Sequence, residues 1–130
     1  MNNRIDIVIP TYNRSEALHR TLLFLHESLE SMDNIYINVI DNCSIDNTKN
    51  ILILMEEFFD EGSLNFKYHI HDKNIGLDGS ILFIARNILS SNGFTWFLSD
   101  DDYLISDGVR LFVERLSTSN KKIEVAKFSN

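Results

Sequence analysis

Apolar residues along the chain follow two alternating periodicities. Short β-branched runs such as Ile5–Ile9 and Ile35–Ile40 have the length and composition of buried strands. Between these runs, apolar residues recur at steps of three and four, which is the spacing of one helix face. In the first helix these positions are Leu18, Leu22, Leu25, Leu29 and Met32. The pattern therefore predicts strands and helices in alternation.

Five strands and four helices account for the whole chain. The three later strands are predicted at Leu64–Ile70, Phe94–Leu98 and Ile123–Phe128. The three later helices carry apolar faces at Ile51–Phe59, Ile81–Leu89 and Val109–Leu116. The order βαβαβαβαβ with short connections predicts an α/β fold, with a mainly parallel sheet and helices on both faces. Residues 1–130 are expected to form one domain, because this length is enough to bury a core.

Polar and glycine residues mark the connections between these elements. Asn13, with Glu16 three residues later, has the pattern of a capping box that opens the first helix. Asp46 is predicted to be the N-cap of the second helix. The glycine-bearing segment Asn74–Gly79 is predicted to be a loop that permits positive φ and close approach of the backbone.

Composition and charge exclude several classes of protein. Nineteen acidic against 12 basic residues give a net charge of −7, which argues against a nucleic acid partner. The single cysteine, Cys43, excludes a disulfide framework or a cysteine zinc cluster and fits a reducing compartment. No apolar run approaches the roughly 20 residues of a membrane span, and the amino terminus lacks the order of a signal peptide. We therefore expect a cytoplasmic domain.

The segments that follow the first four strands are unusually polar. They are Thr11–Arg14, Asp41–Ser44, His71–Asn74 and Ser99–Asp102. Ordinary turn and capping chemistry explains any one of them, but it explains all four together less well. In open α/β sheets, ligands bind beyond the carboxyl ends of the strands. These segments are therefore the candidate site.

The run Asp100–Asp102 is the most specific feature of the candidate site. Three adjacent carboxylates at the end of a buried strand repel one another unless a cation joins them. Oxygen ligands of this kind suit Mg²⁺ or Mn²⁺, which commonly share a substrate phosphate. The alternative interpretation is a solvated acidic turn that caps the next helix.

Other α/β classes fit the sequence poorly. The segment Asn74–Gly79 lacks the first glycine of a dinucleotide fingerprint, and no lysine follows its glycines as in a phosphate loop. A phospho-receiver domain would need acidic residues after the first strand and a phosphorylatable aspartate after the third. Here the acidic run follows the fourth strand.

Four segments resemble the motifs of family 2 glycosyltransferases, which have the GT-A fold. They are Ile5–Arg14, Val39–Thr48, Asn74–Asn87 and Phe97–Asp102, in the family's order and across nearly the whole chain. The resemblance implies a Rossmann-like, three-layer GT-A sandwich that is incomplete at its carboxyl terminus. Residues 1–130 would then supply the part that binds a nucleotide sugar, the donor.

The resemblance also implies roles for individual residues. Tyr12 would stack on a pyrimidine, and Asp41 or Asn42 would hydrogen-bond the edge of the base. UDP-sugars or dTDP-sugars are the donors expected from this pocket. The implied nucleotide-binding residues are Pro10, Thr11, Tyr12, Arg14, Asp41, Asn42, Gly76, Gly79 and Asp100.

The triple-aspartate run would hold the divalent metal, Mn²⁺ or Mg²⁺. The family's acidic motif can be aligned in two registers, so either Asp100 with Asp102 or Asp101 would provide the metal ligand. The reaction implied is inverting transfer of a hexosyl group from the nucleotide sugar to an acceptor hydroxyl.

The catalytic base has no candidate in this sequence, because the family's base and acceptor site lie later in the domain. The chain alone is therefore expected to be inactive, and a binding module without transfer activity is the alternative function. A saccharide or glycolipid acceptor, bacterial polysaccharide biosynthesis and a peripheral place at the inner membrane face follow from the resemblance only. Apolar surface left open would favour a homo-oligomer.

Overall fold

The computed structural model of the chain describes residues 2–89, 93–101 and 106–120. Four strands and four helices alternate along them, as the periodicity predicts. They are β1 (Arg4–Thr11), α1 (Ser15–Leu29), β2 (Ile35–Asp41), α2 (Thr48–Asp60), β3 (Asn65–Ile70), α3 (Gly76–Asn87), β4 (Gly93–Phe97) and α4 (Ser106–Thr118). The predicted strand Ile123–Phe128 lies outside the described residues.

The strands form a parallel sheet in the order β3-β2-β1-β4, which confirms the predicted parallel pairing. The first three strands are added in one direction, and β4 then pairs with the opposite edge of β1. Such a reversal of strand order is where open α/β sheets bind their ligands, beyond the carboxyl ends of the strands. The polar segments that follow β1 and β4 meet at this point.

Helices cover both faces of the sheet, as predicted. On one face, Ile5, Ile7 and Ile9 of β1 pack into a continuous core with α1, α2 and α4. On the other face, Val8 and Ile40 pack against Ile84 of α3 in a much smaller cluster. The alternation of side chains along each strand therefore supplies two cores of very different size.

The predicted capping box at the start of α1 is wrong. Arg14 occupies the N-cap position and makes no side-chain capping bond. Asn13 has a φ of 52°, and its side-chain oxygen accepts a hydrogen bond from the N–H of Ile45 at 2.8 Å. A partner in the neighbouring connection has taken the place of the local one, because the two connections lie side by side at the sheet edge.

Asp46 caps α2 from one position further out than predicted. Asn47 is the N-cap residue and makes no side-chain capping bond, whereas Oδ1 of Asp46 accepts the N–H of Thr48 at 3.0 Å. The carboxylate therefore satisfies a donor of the first turn that has no partner within the helix.

The segment Asn74–Gly79, predicted to be a loop, is a loop only as far as Ile75, because α3 begins at Gly76. The backbone of Gly76 has a φ of +74°, so the expected positive φ is confirmed there. A Cβ added at Gly79 would lie 2.8 Å from Cγ1 of Ile75, which is closer than side chains approach one another. Gly79 is thus required by close packing inside the helix and not by a turn.

Among the described helices, none has both the length and the apolar character needed to cross a membrane.

Candidate functional site

A cleft of about 480 Å³ lies at the carboxyl ends of the strands, beside the start of α3. Most of the predicted nucleotide-binding residues line it, whereas Asp41 and Gly79 do not. The lining residues are Pro10, Thr11, Tyr12, Arg14, Asn42, Asn74, Gly76, Leu77, Ser80, Ser99 and Asp100. The fold therefore brings the segments after β1, β2, β3 and β4 to one place, as the sequence predicts.

A larger groove of about 680 Å³ lies between α2 and the amino-terminal part of β3, lined by Glu56, Phe59 and Lys67 among others. It lies away from the polar segments that follow the strands. Ligands of parallel sheets bind at the other end, so the smaller cleft is the better candidate site.

Thr11 and Asp100 join β1 to the segment after β4 at the base of the cleft. Both residues are buried, and the hydroxyl of Thr11 donates a hydrogen bond to Oδ2 of Asp100 at 2.8 Å. The hydroxyl of Thr21 on α1 donates to the backbone oxygen of Asp100 at 2.9 Å. Burial raises the pKa of the Asp100 carboxyl above its ordinary value, although the Thr11 hydrogen bond and the Arg14 charge oppose this.

Arg14 forms ion pairs with two neighbouring carboxylates. Its Nη1 contacts Oδ2 of Asp101 and lies 3.5 Å from Oδ1 of Asp100. The hydroxyl of Ser99 donates a hydrogen bond to Asp101 at 2.6 Å. This bond and the Arg14 guanidinium hold the pKa of Asp101 below its ordinary value. The two carboxylates thus already converge on one positive charge.

These carboxylates fit a divalent cation that is shared with a ligand. Within the described ranges, no group of three or more His, Cys, Asp or Glu side chains is assembled, and Asp102 lies outside those ranges. Mg²⁺ commonly uses one or two carboxylates and completes its coordination with water and substrate phosphates. Two converging carboxylates, one of them destabilised by burial, match that donor set.

Asp41 and Asn42 follow β2 but have different surroundings. The buried carboxylate of Asp41 accepts hydrogen bonds from the backbone N–H of Ser44 at 3.3 Å and from its hydroxyl. Asp41 therefore stabilises the turn after β2, whereas Asn42 lines the cleft.

Asn42 and Asn74 hold the start of α3 against the β2 connection. The side-chain nitrogen of Asn42 donates to Oδ1 of Asn74 at 2.7 Å, and its oxygen accepts the N–H of Ile75 at 2.8 Å. Oδ1 of Asn74 also accepts the N–H of Gly76 at 2.8 Å. Asn74 belongs to the polar segment His71–Asn74 that the sequence places in the candidate site, although no individual role was predicted for it.

Three further lining residues had no individual nucleotide-binding role predicted from the sequence. They are Leu77, Ser80 and Ser99. Ser99 lies two positions after the end of β4, in the polar segment Ser99–Asp102 that the sequence places in the candidate site. Leu77 and Ser80 lie on the first turns of α3 and reach the cleft only because this helix begins earlier than expected.

His71 lies buried after β3 and does not line the cleft. Burial and the neighbouring His69 lower its pKa, and its ring lies 5.0 Å from that of Phe83 in an edge-to-face arrangement. The histidine is therefore a packed core residue on the α3 side of the sheet.

Residues 6–129 match the model of the family described as glycosyl transferase family 2. The chain belongs to this family. The match covers the strands, the helices and the cleft described above, so the family predicted from the four motifs is confirmed.

One relative of the chain in the family is the abequosyltransferase RfbV of Salmonella typhimurium, which is 30% identical over 111 residues. The alignment covers 82% of this chain and 31% of RfbV. An uncharacterised glycosyltransferase of Mycoplasma genitalium, MG060, is 23% identical over 84% of the chain and 36% of its own length. The chain thus spans about a third of these relatives.

Solved structures show the same fold. The mannosyltransferase PcManGT from Pyrobaculum calidifontis, in complex with GDP-Man and Mn²⁺, superposes with a TM-score of 0.71 at 17% identity over 85% of this chain and 31% of its own. S. aureus TarS 1-349, in complex with UDP-GlcNAc, gives 0.56 at 24% identity over 85% of the chain and 30% of its own. The predicted Rossmann-like GT-A fold is confirmed.

Proposed function

We propose that the cleft binds the nucleoside diphosphate of a nucleotide sugar, so that the chain is the donor-binding part of a family 2 glycosyltransferase. The observation that carries this proposal is the junction of β1 and β4, where Thr11 and Arg14 contact Asp100 and Asp101. A ligand rich in phosphate needs positive charge. This junction provides the guanidinium of Arg14, and its carboxylates could hold a cation that shares the phosphates.

The rest of the cleft has the chemistry of a base and ribose pocket. Tyr12 lines the cleft and is 45% exposed, so a pyrimidine could stack on its ring. Asn42 and Gly76 line the same cleft. UDP-sugars and dTDP-sugars are the proposed donors, and the UDP-GlcNAc of the TarS structure supports a nucleotide of this kind.

Asp100, Asp101 and Asp102 would hold the divalent cation, Mn²⁺ or Mg²⁺. Such an ion neutralises the charge of the departing nucleoside diphosphate. The Mn²⁺ of the PcManGT complex supports this assignment. The guanidinium of Arg14 lies beside the carboxylates of Asp100 and Asp101 and would contact the same diphosphate.

The catalytic base is proposed to come from outside these 130 residues, with inversion at the transferred sugar. Among the described residues that line the cleft, Asp100 is the one that carries a carboxylate. Thr11 and Arg14 already contact this group. A nucleotide-binding module without transfer activity is the second candidate function. It would use the same contacts of Thr11 and Arg14 with Asp100 and Asp101.

The acceptor and the cellular setting belong to the same proposal. A saccharide or glycolipid acceptor in polysaccharide biosynthesis is consistent with a relative that is named as an abequosyltransferase. A cytoplasmic place, at the inner membrane face in a longer protein, is proposed with it.

Calorimetric titration of the chain with UDP tests the donor site. We expect UDP to bind in the presence of Mn²⁺ and this binding to be lost when EDTA removes the metal. Asp101→Ala should weaken the binding about tenfold, because it removes a charged side chain that is proposed to hold the metal. Asp60→Ala removes an exposed carboxylate from the end of α2 and should leave the affinity unchanged. Failure of UDP, dTDP and GDP to bind, or equal affinity with and without metal, would contradict the proposal.

A transfer assay tests the proposal that the catalytic base lies outside these 130 residues. The chain alone, supplied with UDP-sugar, Mn²⁺ and a saccharide acceptor, should release UDP no faster than the Asp101→Ala variant. Transfer by the wild-type chain would show that the base lies within these residues.

A further inference from the structure

Asp46 lies outside the cleft, yet its carboxylate holds the amino termini of two helices. Oδ1 accepts the N–H of Thr48, the first residue of α2, at 3.0 Å, and the hydroxyl of the same residue. Oδ2 accepts the N–H of Ser15, the first residue of α1, at 3.0 Å. Neither helix is capped by the side chain of its own N-cap residue. One carboxylate therefore satisfies unpaired donors of both helices.

A second pair of hydrogen bonds joins the same two connections. The backbone N–H of Asn13 donates to the hydroxyl oxygen of Ser44 at 2.8 Å. In return, the side-chain oxygen of Asn13 accepts the N–H of Ile45 at 2.8 Å. Together with the Asp46 bonds, these contacts fasten the β1–α1 connection to the β2–α2 connection.

The fastened segment carries two residues of the cleft. Asn13 lies between Tyr12 and Arg14, and its φ of 52° is one that residues other than glycine rarely adopt. The directions of the neighbouring side chains depend on this conformation. Contacts from the next connection keep the backbone there, so the geometry of the cleft depends on residues that do not line it.

A negative charge on Asp46 strengthens its hydrogen bonds to the amino termini of α1 and α2. Burial opposes ionisation of the carboxyl, but hydrogen bonds from Thr48 and Ser15 outweigh it, and its pKa lies below the ordinary value. The carboxylate also faces the positive ends of two helix dipoles. An asparagine at this position offers one acceptor oxygen and could serve one of the two helices.

We propose that Asp46 is a positioning residue for the donor site, which holds the β1–α1 connection so that Tyr12 and Arg14 face the nucleotide. It makes no contact with the nucleotide itself. This inference rests on the proposed function, because its effect is exerted through residues assigned to the base and the diphosphate.

The competing interpretation is that Asp46 only caps α2 and contributes to stability. Asn47→Ala provides the matched control, since it removes the neighbouring side chain at the start of the same helix. That side chain accepts a hydrogen bond from Asn50 and is not bonded to the β1–α1 connection. A purely stabilising role predicts that neither change alters binding by the folded chain, whereas positioning predicts that Asp46→Ala alone weakens it.

Titration with UDP and Mn²⁺ separates these interpretations at a temperature where all variants are folded. We expect Asp46→Ala to weaken UDP binding about tenfold, and Asp46→Asn about threefold because it retains one acceptor. Asn47→Ala should stay within about twofold of the wild type. Equal losses for Asp46→Ala and Asn47→Ala would overturn the proposal.

A double-mutant cycle with Arg14 supplies a result that a purely structural role would not produce. In an Arg14→Ala background, Asp46→Ala should cost clearly less UDP affinity than its roughly tenfold loss in the wild-type background, because one of the two groups that it positions is already absent. Fully additive losses would contradict positioning.

Amide hydrogen exchange tests the positioning without any ligand. In the nucleotide-free chain, Asp46→Ala should accelerate exchange at residues 12–15 by about tenfold, and Asn47→Ala should not. Unchanged exchange in Asp46→Ala would overturn the proposal whatever UDP does. Accelerated exchange in a chain whose wild type binds no nucleotide would instead refute the proposed function alone.

Discussion

Arg14 lies beside two carboxylates that are proposed to bind a divalent cation. Its guanidinium pairs with Asp101, which is exposed, and with Asp100, which is buried. Both carboxylates belong to the run proposed as metal ligands. Two neighbouring negative charges are costly in a partly buried site unless a cation lies close to both of them. The arginine therefore stabilises the carboxylates, and it would compete with a divalent cation for their oxygens.

Replacing Arg14 by glutamine should tighten the binding of Mn²⁺ to the nucleotide-free chain by about threefold, because a competing positive charge is removed. The same variant should bind UDP more weakly in the presence of Mn²⁺, since a diphosphate contact is lost. Titration of free Mn²⁺ by electron paramagnetic resonance measures the first effect. Arg20→Gln, which removes an exposed charge from α1, is the control. Weaker Mn²⁺ binding by Arg14→Gln would show that the arginine supports the metal site.

Hydrogen-bond partners were the least predictable feature at the scale of single residues. Asn13 and Asp46 were both recognised from the sequence as helix-starting residues. The structure gives Asn13 a partner at Ile45 and gives Asp46 a second partner at Ser15. These contacts span about 30 positions of sequence, so capping rules based on near neighbours could not reveal them.

Among the elements, the start of α3 contributes most to the shape of the cleft. Gly76 lines it with a left-handed backbone, and Asn42 and Asn74 hold that backbone in place. Gly79 lies one turn further on, packed against the side chain of Ile75. The two glycines of one motif therefore have different physical roles.

Gly79→Ala should destabilise the chain by about 1–3 kcal/mol, which is the usual cost of overpacking. In an unhindered helix the same change would stabilise by about 1 kcal/mol, but here the new Cβ would lie 2.8 Å from Cγ1 of Ile75. Urea unfolding measures the difference. The double variant Ile75→Ala, Gly79→Ala should recover part of the loss.

Gly62→Ala is the matched control for this prediction, because the nearest atom to its added Cβ is 3.7 Å away. It should change the stability little. A Gly79→Ala variant that is as stable as the wild type would show that Ile75 moves aside without cost.

At the scale of the whole molecule, the two faces of the sheet are unequally covered. Six residues of α1 are buried, from Leu18 to Leu29, whereas α3 buries Ser80 and Ile84. Apolar side chains on and beside α3 remain exposed. They are Ile75, Leu77, Ile81, Leu82 and Leu89. The helix that borders the cleft is therefore held by the smaller core, and self-association through such surface stays a prediction.

Hydrogen exchange should show this inequality directly. We expect the amides of α3 to exchange at least about tenfold faster than those of α1, because local opening of α3 exposes little apolar surface. Mass spectrometry of peptic fragments resolves the two helices. Measurements at several chain concentrations provide the control, since self-association through α3 would slow its exchange as the concentration rises. Equal protection in dilute solution would contradict the prediction.

The periodicity of apolar residues was enough to predict the order of elements, the parallel pairing and the two-sided helix arrangement, because strands and helix faces bury apolar residues at different spacings. The polar segments after the strands were also readable, since parallel strands bring their carboxyl ends to one edge. Tertiary structure alone decided which polar group meets which. It paired Thr11 with Asp100 and joined two helix ends to Asp46. Such contacts depend on distances between segments remote in sequence, and those distances exist only once the sheet is assembled.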